Sequence, residues 1–302
     1  MSAEPIRGVE DDWAGFAPAP VGTARERLEA LGFRFTADIE VPEPEPLLLD
    51  RLAPGAAELT ILFGAGGSRK GTLVAHWIAR LTNEDQLRVA ILDYEGHAER
   101  EWVARLRSLA ADESRILIAE PRKLAATRGG IWDAAPAVAR PLADWGVDLV
   151  VVDSIQHASM GRTVEPDTPT LFQDAAIAFG VPMLAIAHVN RAGDLRYPFG
   201  SIHWDTTARA TWSLARLPDN ASRLVNRKHQ QGDLLGSFAV TYDYDPVSRL
   251  PIAVSDRTAA IMTVGQHVHE VLAAWEGEAP TTAELIEVVQ ERAPDLKPAA
   301  ID

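Results

Sequence analysis

Five short apolar runs, each separated from the next by a stretch long enough for a helix, constrain this chain more than any other feature. They are Leu59 to Phe63, Val89 to Tyr94, Ile116 to Ile118, Leu149 to Val152 and Met183 to Ala187. A strand with no polar alternation must be covered on both faces, and strands joined through helices pair in parallel. The expected fold class is therefore α/β, with a mostly parallel sheet and with Leu149 to Val152 beside Leu59 to Phe63. After Ala210 the pattern changes to Thr211 to Leu214, Leu224 to Arg227, Phe238 to Tyr244 and Ile252 to Val254. These pieces are expected as antiparallel strands at one edge of the sheet.

The flanks read differently. Residues 1–45 form an N-terminal arm, helical around Ala24 to Leu31, that ends in Val41-Pro-Glu-Pro-Glu-Pro46, where alternating proline favours an extended connector. Residues 46–258 form the core domain. Residues 259–302 form a helical tail, with helices expected over Val264 to Trp275 and Thr282 to Glu291, the second capped by Thr281 with Glu284 three residues on. Trp204 and Trp212 are assigned to the core.

Composition removes several classes of chemistry. The absence of cysteine excludes disulfides, thiolate metal sites and cysteine nucleophiles, which leaves metal chemistry of the oxygen-ligand kind. With 29 Lys+Arg against 43 Asp+Glu the net charge is −14, so any nucleic-acid contact has to come from a local basic stripe. No run of eighteen apolar residues is present, and the N-terminus lacks an apolar stretch behind a basic start; a soluble, cytoplasmic protein with no membrane partner is expected.

The segment richest in chemistry is Leu62-Phe-Gly-Ala-Gly-Gly-Ser-Arg-Lys-Gly-Thr-Leu73, placed between the first apolar run and a helix expected to start near Lys70. Glycines in such a loop let backbone N–H groups converge on phosphates, a lysine reaches the β- and γ-phosphates, and a hydroxyl meets magnesium. Gly64, Ala65, Gly66, Gly67, Ser68, Arg69, Lys70, Gly71 and Thr72 form the candidate cradle. Arg69 stands where the pattern has glycine and Gly71 where it has Ser or Thr, which leaves Thr72, one residue late, as the candidate hydroxyl. Asp153 ends the apolar run Leu149 to Val152 and is the candidate carboxylate for magnesium. Asp93-Tyr-Glu-Gly-His97 ends another run, and Glu95 is the candidate for orienting and deprotonating an attacking water, with Asp93 the alternative. A ligand-free glycine turn and solvated acidic turns are the bland readings of the same residues.

Taken in order, these segments resemble the RecA-type P-loop ATPases, and within them the RepA-like plasmid and phage helicases related to DnaB. The resemblance covers about residues 46 to 257: Pro46-Leu-Leu-Leu-Asp50, Gly64 to Lys70, Leu92-Asp-Tyr-Glu95 with Arg100, Arg105 and Arg107 after it, Val151-Val-Asp-Ser154, Ala187-His-Val-Asn-Arg191, Phe199-Gly-Ser-Ile-His-Trp204 with Ala208-Arg-Ala-Thr-Trp212, and Asn226-Arg-Lys-His229. It implies a RecA-like core that takes ATP and Mg2+. It implies that His188 senses the γ-phosphate, and that Arg227 and Lys228 form a basic pair reaching a neighbouring subunit's nucleotide. A core histidine and solvated edge-strand cations are the alternatives.

The implied partners are further copies of the chain, a hexameric ring among the possible closures, and single-stranded DNA contacted through Arg191 to Phe199. The tail is similar to the first two helices of a winged helix. The function expected is a DNA-associated, ATP-hydrolysing motor or helicase-like protein. A nucleotide-binding assembly subunit that hydrolyses weakly or not at all, and an ATP-independent DNA-binding accessory protein, are the other classes.

Overall fold

All five apolar runs become strands of one sheet. The structure is a computed structural model that describes residues 23–34, 36–38, 48–49, 51–53, 55, 58–123, 129–189, 197–200, 203–229, 236–260, 268, 272 and 280–292. The chain divides into residues 1–44 and 45–302. In the first unit α1, Ala24–Ala30, starts at a capping box in which Thr23 and Glu26 satisfy each other's backbone N–H groups. The proline connector and residues 1–22 lie outside the described residues.

The second unit holds β1 (Leu59–Gly64), α2 (Lys70–Asn83), β2 (Val89–Asp93), a π-helical stretch at Ala98–Val103 continuing into α3 (Ala104–Ser108), and β3 (Ile116–Ala119). It continues with α4 (Ile131–Trp145), β4 (Leu149–Asp153), α5 (Ile155–Ala158), α6 (Thr168–Phe179), β5 (Met183–His188) and α7 (His203–Thr207). Four longer strands follow: β6 (Ala210–Arg216), β7 (Ala221–His229), β8 (Ser237–Tyr244) and β9 (Pro251–Ala260). The last described helix is α8 (Thr282–Arg292).

The nine strands form one sheet in the order β3-β2-β4-β5-β1-β6-β7-β8-β9. Alternate residues feed two cores. Leu59, Ile61, Phe63, Val150, Val152 and Ala185 pack against α4 and α6, whereas Leu62, Val89, Ile91, Val151, Leu184 and Ile186 pack against α2, Trp102 and Leu106. Burial on both faces is the reason these strands carry no polar alternation. Trp204 and Trp212 are both fully buried, as expected, and their indoles donate to the carbonyls of Thr163 and Arg51.

Four expectations about placement are corrected. β4 does not lie beside β1, because β5 sits between them and pairs in parallel with both. The run at β5 is apolar towards both cores, so it takes an interior position that spacing along the chain does not specify. β6 is parallel to β1, and antiparallel pairing begins only at β7. The chain leaving β5 crosses back through α7, and the Arg209 N–H donates to the Leu59 carbonyl at the start of β1, so β6 enters from the same end. β7, expected at an edge, is interior, flanked by β6 and β8. The change to helix expected at Ala259 is not seen there either, since β9 runs to Ala260. Most of the tail's first helix lies outside the described residues; α8 carries the expected Thr281 and Glu284 cap.

Candidate functional site

The loop between β1 and α2 is built by close packing and left-handed turns. A Cβ on Gly64 would stand 2.4 Å from the Leu214 carbonyl oxygen and 2.7 Å from Ser68 Oγ, so the neighbouring backbone of β6 admits only glycine. Gly67 has φ +72° and so does Arg69, the residue immediately before α2. Alternating left- and right-handed residues turn successive N–H groups inward, and the N-terminal end of α2 adds its own free N–H groups. Lys70 is buried and its Nζ donates to the carbonyls of Gly64 (2.8 Å) and Ala65 (3.0 Å). Burial pushes its ammonium down to about 8, opposed by the charges of Asp153 and Glu95, so it stays cationic near neutrality. Ser68 Oγ is buried without a hydrogen-bond partner.

Arg69 explains its own departure from glycine. Its side chain leaves the cradle and donates to the Ala221 carbonyl (2.8 Å) and Asn220 Oδ1 (3.0 Å) at the β6–β7 turn. The guanidinium also lies over the rings of Tyr242 and Tyr244, at 5.1 and 5.9 Å. Left-handed backbone costs a non-glycine residue about 1–2 kcal/mol, and these contacts offset it.

Strand ends bring the acidic residues to the same place. Gly64 is in register with His188, and Asp93 with Asp153. Asp93, the alternative to Glu95, is fully committed: its two oxygens accept the N–H groups of Glu95 (2.9 Å), Gly96 (3.0 Å) and His97 (2.7 Å). It holds the turn that presents Glu95. That turn is two strands away from β1's neighbour β5, not on a strand adjoining β1, yet Glu95 reaches the site from there. Glu95 Oε1 lies 3.6 Å from His188 Nε2 and 3.5 Å from His157 Nδ1. The nearby His188 imidazole, with Ser154 and His157, holds the Glu95 carboxyl down at about 2, against the opposing effect of burial. Asp153 behaves in the opposite way: burial, then the charges of Glu95 and Asp93, push it up to about 7, although the Trp102 indole donates to its Oδ2 at 3.2 Å.

Gly67 to Thr72, Glu95, Asp153 and His188 line one cleft of 190 Å³, together with Glu101, Arg105 and Ile186. A second space of 380 Å³ shares Gly67, Arg69, Thr72 and Arg105 with the first and extends past Arg100 to Tyr244, Arg249 and Pro251. Trp102, Arg105 and His157 went unassigned at the sequence level. The π-helical stretch alters which residues of that segment share a face, so no regular helical period marks Trp102 and Arg105 as site residues; His157 follows Asp153 too closely for its orientation to be read.

Arg227 and Lys228 are not part of this cluster. Register pairs Arg216 with Ser222 at the loop's end of the sheet and Thr211 with Lys228 at the other end. Neither Arg227 nor Lys228 lines the cleft. Arg227 Nε donates to Ser213 Oγ at 2.8 Å, and Lys228 Nζ to the carbonyls of Asp205 and Thr206. Residues 190–196 of the expected DNA loop lie outside the described residues; Tyr197 and Phe199 at its end are exposed, and the Phe199 N–H donates to the His188 carbonyl.

The AAA domain family matches residues 24–194, more than half of the chain. The chain belongs to that family. No curated protein matches this AAA-domain chain in sequence. Among solved structures it is similar to a DnaB-like replicative helicase described with its primase interactions, at 14% identity and TM-score 0.54 over 76% of this chain and 67% of that one. It is similar to a structure described as an ATPase domain, at 13% identity and TM-score 0.53 over 78% and 99%. A KaiC-like protein from Pyrococcus horikoshii OT3 is also similar, at 14% identity and TM-score 0.51 over 72% and 96%. The fold is RecA-like, with the mostly parallel sheet and antiparallel flank of those structures. Among the described residues no helix is long and apolar enough to cross a membrane.

The family implies a nucleotide, and the cradle of this AAA-domain chain fits its phosphates: two left-handed turns, a buried lysine and an unpartnered Ser68 hydroxyl. A divalent ion usually accompanies the nucleotide. Among the hydroxyls and carboxylates that line the cleft, Thr72 and Asp153 are the hard oxygen donors placed to meet an ion beside the loop. That suits magnesium, which keeps most of its other positions for water and phosphate.

Proposed function

We propose that the chain binds ATP with its phosphates on Gly64 to Thr72 and hydrolyses it, and that hydrolysis drives a helicase-like motor on DNA. The observation carrying this reading is convergence: the Lys70 ammonium, Glu95, Asp153 and His188 come from four different strand ends to line one cleft beside the loop. Lys70, freed from the Gly64 and Ala65 carbonyls, neutralises phosphate charge. Glu95, its carboxyl held low, orients the attacking water and takes its proton as the bond to the γ-phosphorus forms and the bond to the β–γ bridging oxygen breaks, releasing ADP. His188, which lies beside Glu95, registers the γ-phosphate and passes its loss to Phe199, whose N–H it holds through its carbonyl. Thr72 and Asp153 would hold magnesium, which would supply positive charge beside the phosphate oxygens.

The active species in this reading is a homo-oligomer. Arg227 does not line its own cleft, so in this reading its charge serves a neighbour's site, and closure into a ring of six follows if the repeated interface rotates appropriately. Tyr197 and Phe199 offer exposed aromatic faces to DNA bases. The experiment is ATP turnover by the wild type and by Lys70→Ala, with and without single-stranded DNA. Turnover that rises with DNA and vanishes in the variant supports the reading; equal rates in the two proteins overturn it. A second reading, a nucleotide-holding assembly subunit with little turnover, is favoured by the glycine at position 71; binding without turnover in the same assay selects it.

A further inference from the structure

Gly71 and Arg105 occupy one another's space. A Cβ on Gly71 would stand 2.9 Å from Arg105 Nη1, closer than a side chain tolerates, so a Ser or Thr at this position and the guanidinium as placed exclude each other. Arg105 is not there by chance of a loose side chain. It projects from α3 and is only a quarter exposed, and its Nη2 is pinned to Glu101 at 2.7 Å, which leaves Nη1 over the start of α2. It lines the phosphate cleft beside Lys70, Thr72 and Asp153.

We propose that Arg105 is a phosphate-binding residue that supplies, where the usual hydroxyl and its metal would stand, the positive charge needed to hold the nucleotide, so that ATP binds without a divalent ion and only turnover needs one. The proposal rests on the nucleotide reading above. A guanidinium is a permanent cation whose planar donors match phosphate oxygens. One edge held by Glu101 fixes its direction, so little side-chain freedom is lost on binding. Lys70 and Arg105 then put two cations into the cleft that Asp153 and Glu95 also line.

The test is ATP affinity by calorimetry in magnesium and in EDTA. The wild type is expected to bind equally, within about threefold, in both. Arg105→Gln is expected to lose about tenfold or more in EDTA, the size of one charged hydrogen bond, and to regain most of it with magnesium. Gly71→Ser is the reciprocal variant: its new Cβ meets only the terminal nitrogen of Arg105, which can swing aside at the loss of its ion pair with the exposed Glu101, so the protein folds, the guanidinium is displaced, and binding becomes magnesium-dependent. Wild-type affinity lost on chelation, or EDTA binding unchanged in both variants, overturns the proposal. Absence of ATP binding in either buffer overturns the nucleotide site itself, and this proposal with it.

Discussion

Glu95 Oε1 stands 3.6 Å from His188 Nε2, joining the end of β5 to the turn after β2 across the intervening strand β4. A carboxylate anchored in this way keeps its charge and its aim. Glu95→Gln retains the shape and loses the proton acceptor, so ATP affinity is expected to stay within about threefold while turnover falls by about 10² or more. Binding by calorimetry and phosphate release on the same preparation separate the two; a variant that turns over at the wild-type rate removes Glu95 from the mechanism.

Asp153 predicts an unusual dependence of stability on pH. Its carboxyl titrates at about 7 when folded, well above its ordinary 3.8. The folded state therefore holds the proton more tightly than the unfolded chain. Stability from this group is full below about pH 4, declines as pH rises, and is lost above pH 7. Asp153→Asn, which cannot ionise, is expected to raise the stability of the nucleotide-free protein at pH 8 by roughly 1–4 kcal/mol and to leave it little changed at pH 4. Urea unfolding at the two pH values checks the difference; equal effects at both would show that the carboxyl is not perturbed.

At Arg69 the backbone and the side chain make opposite contributions. Arg69→Ala keeps the left-handed φ of +72° while removing the bonds to Ala221 and Asn220. Arg69→Gly removes the same bonds and relieves the strain. The alanine variant is expected to be the less stable of the two by about 1 kcal/mol, with both below the wild type, as read from denaturant midpoints.

Mixing Lys70→Ala with Arg227→Ala tests whether sites are shared between copies. Each variant alone is expected to be inactive, and mixed oligomers that exchange subunits should recover part of the activity at interfaces where both groups are intact. No recovery after proven exchange, or full wild-type turnover by a monomer, rules out the shared site.

How far the sequence alone reached can be judged at particular residues. The apolar runs fixed β1 to β5 to within a residue or two, because a strand buried on both faces can contain almost nothing else. Glycine, lysine and strand-end carboxylates pointed to one candidate cleft, because backbone donors, a long cation and short anions are what phosphate requires. The tertiary structure decided the rest. Which strand stands next to β1 depends on how α6 and α7 pack, not on the order of the runs. Whether Asp93 or Glu95 faces the cleft depends on which carboxylate the turn's N–H groups capture. The tolerance of Arg69 comes from Asn220 and Ala221, and the glycine at 71 answers to Arg105 on a different helix. Local pattern reports a residue's need for burial or for a given backbone angle; it carries no record of distant partners, which meet only when the chain is folded.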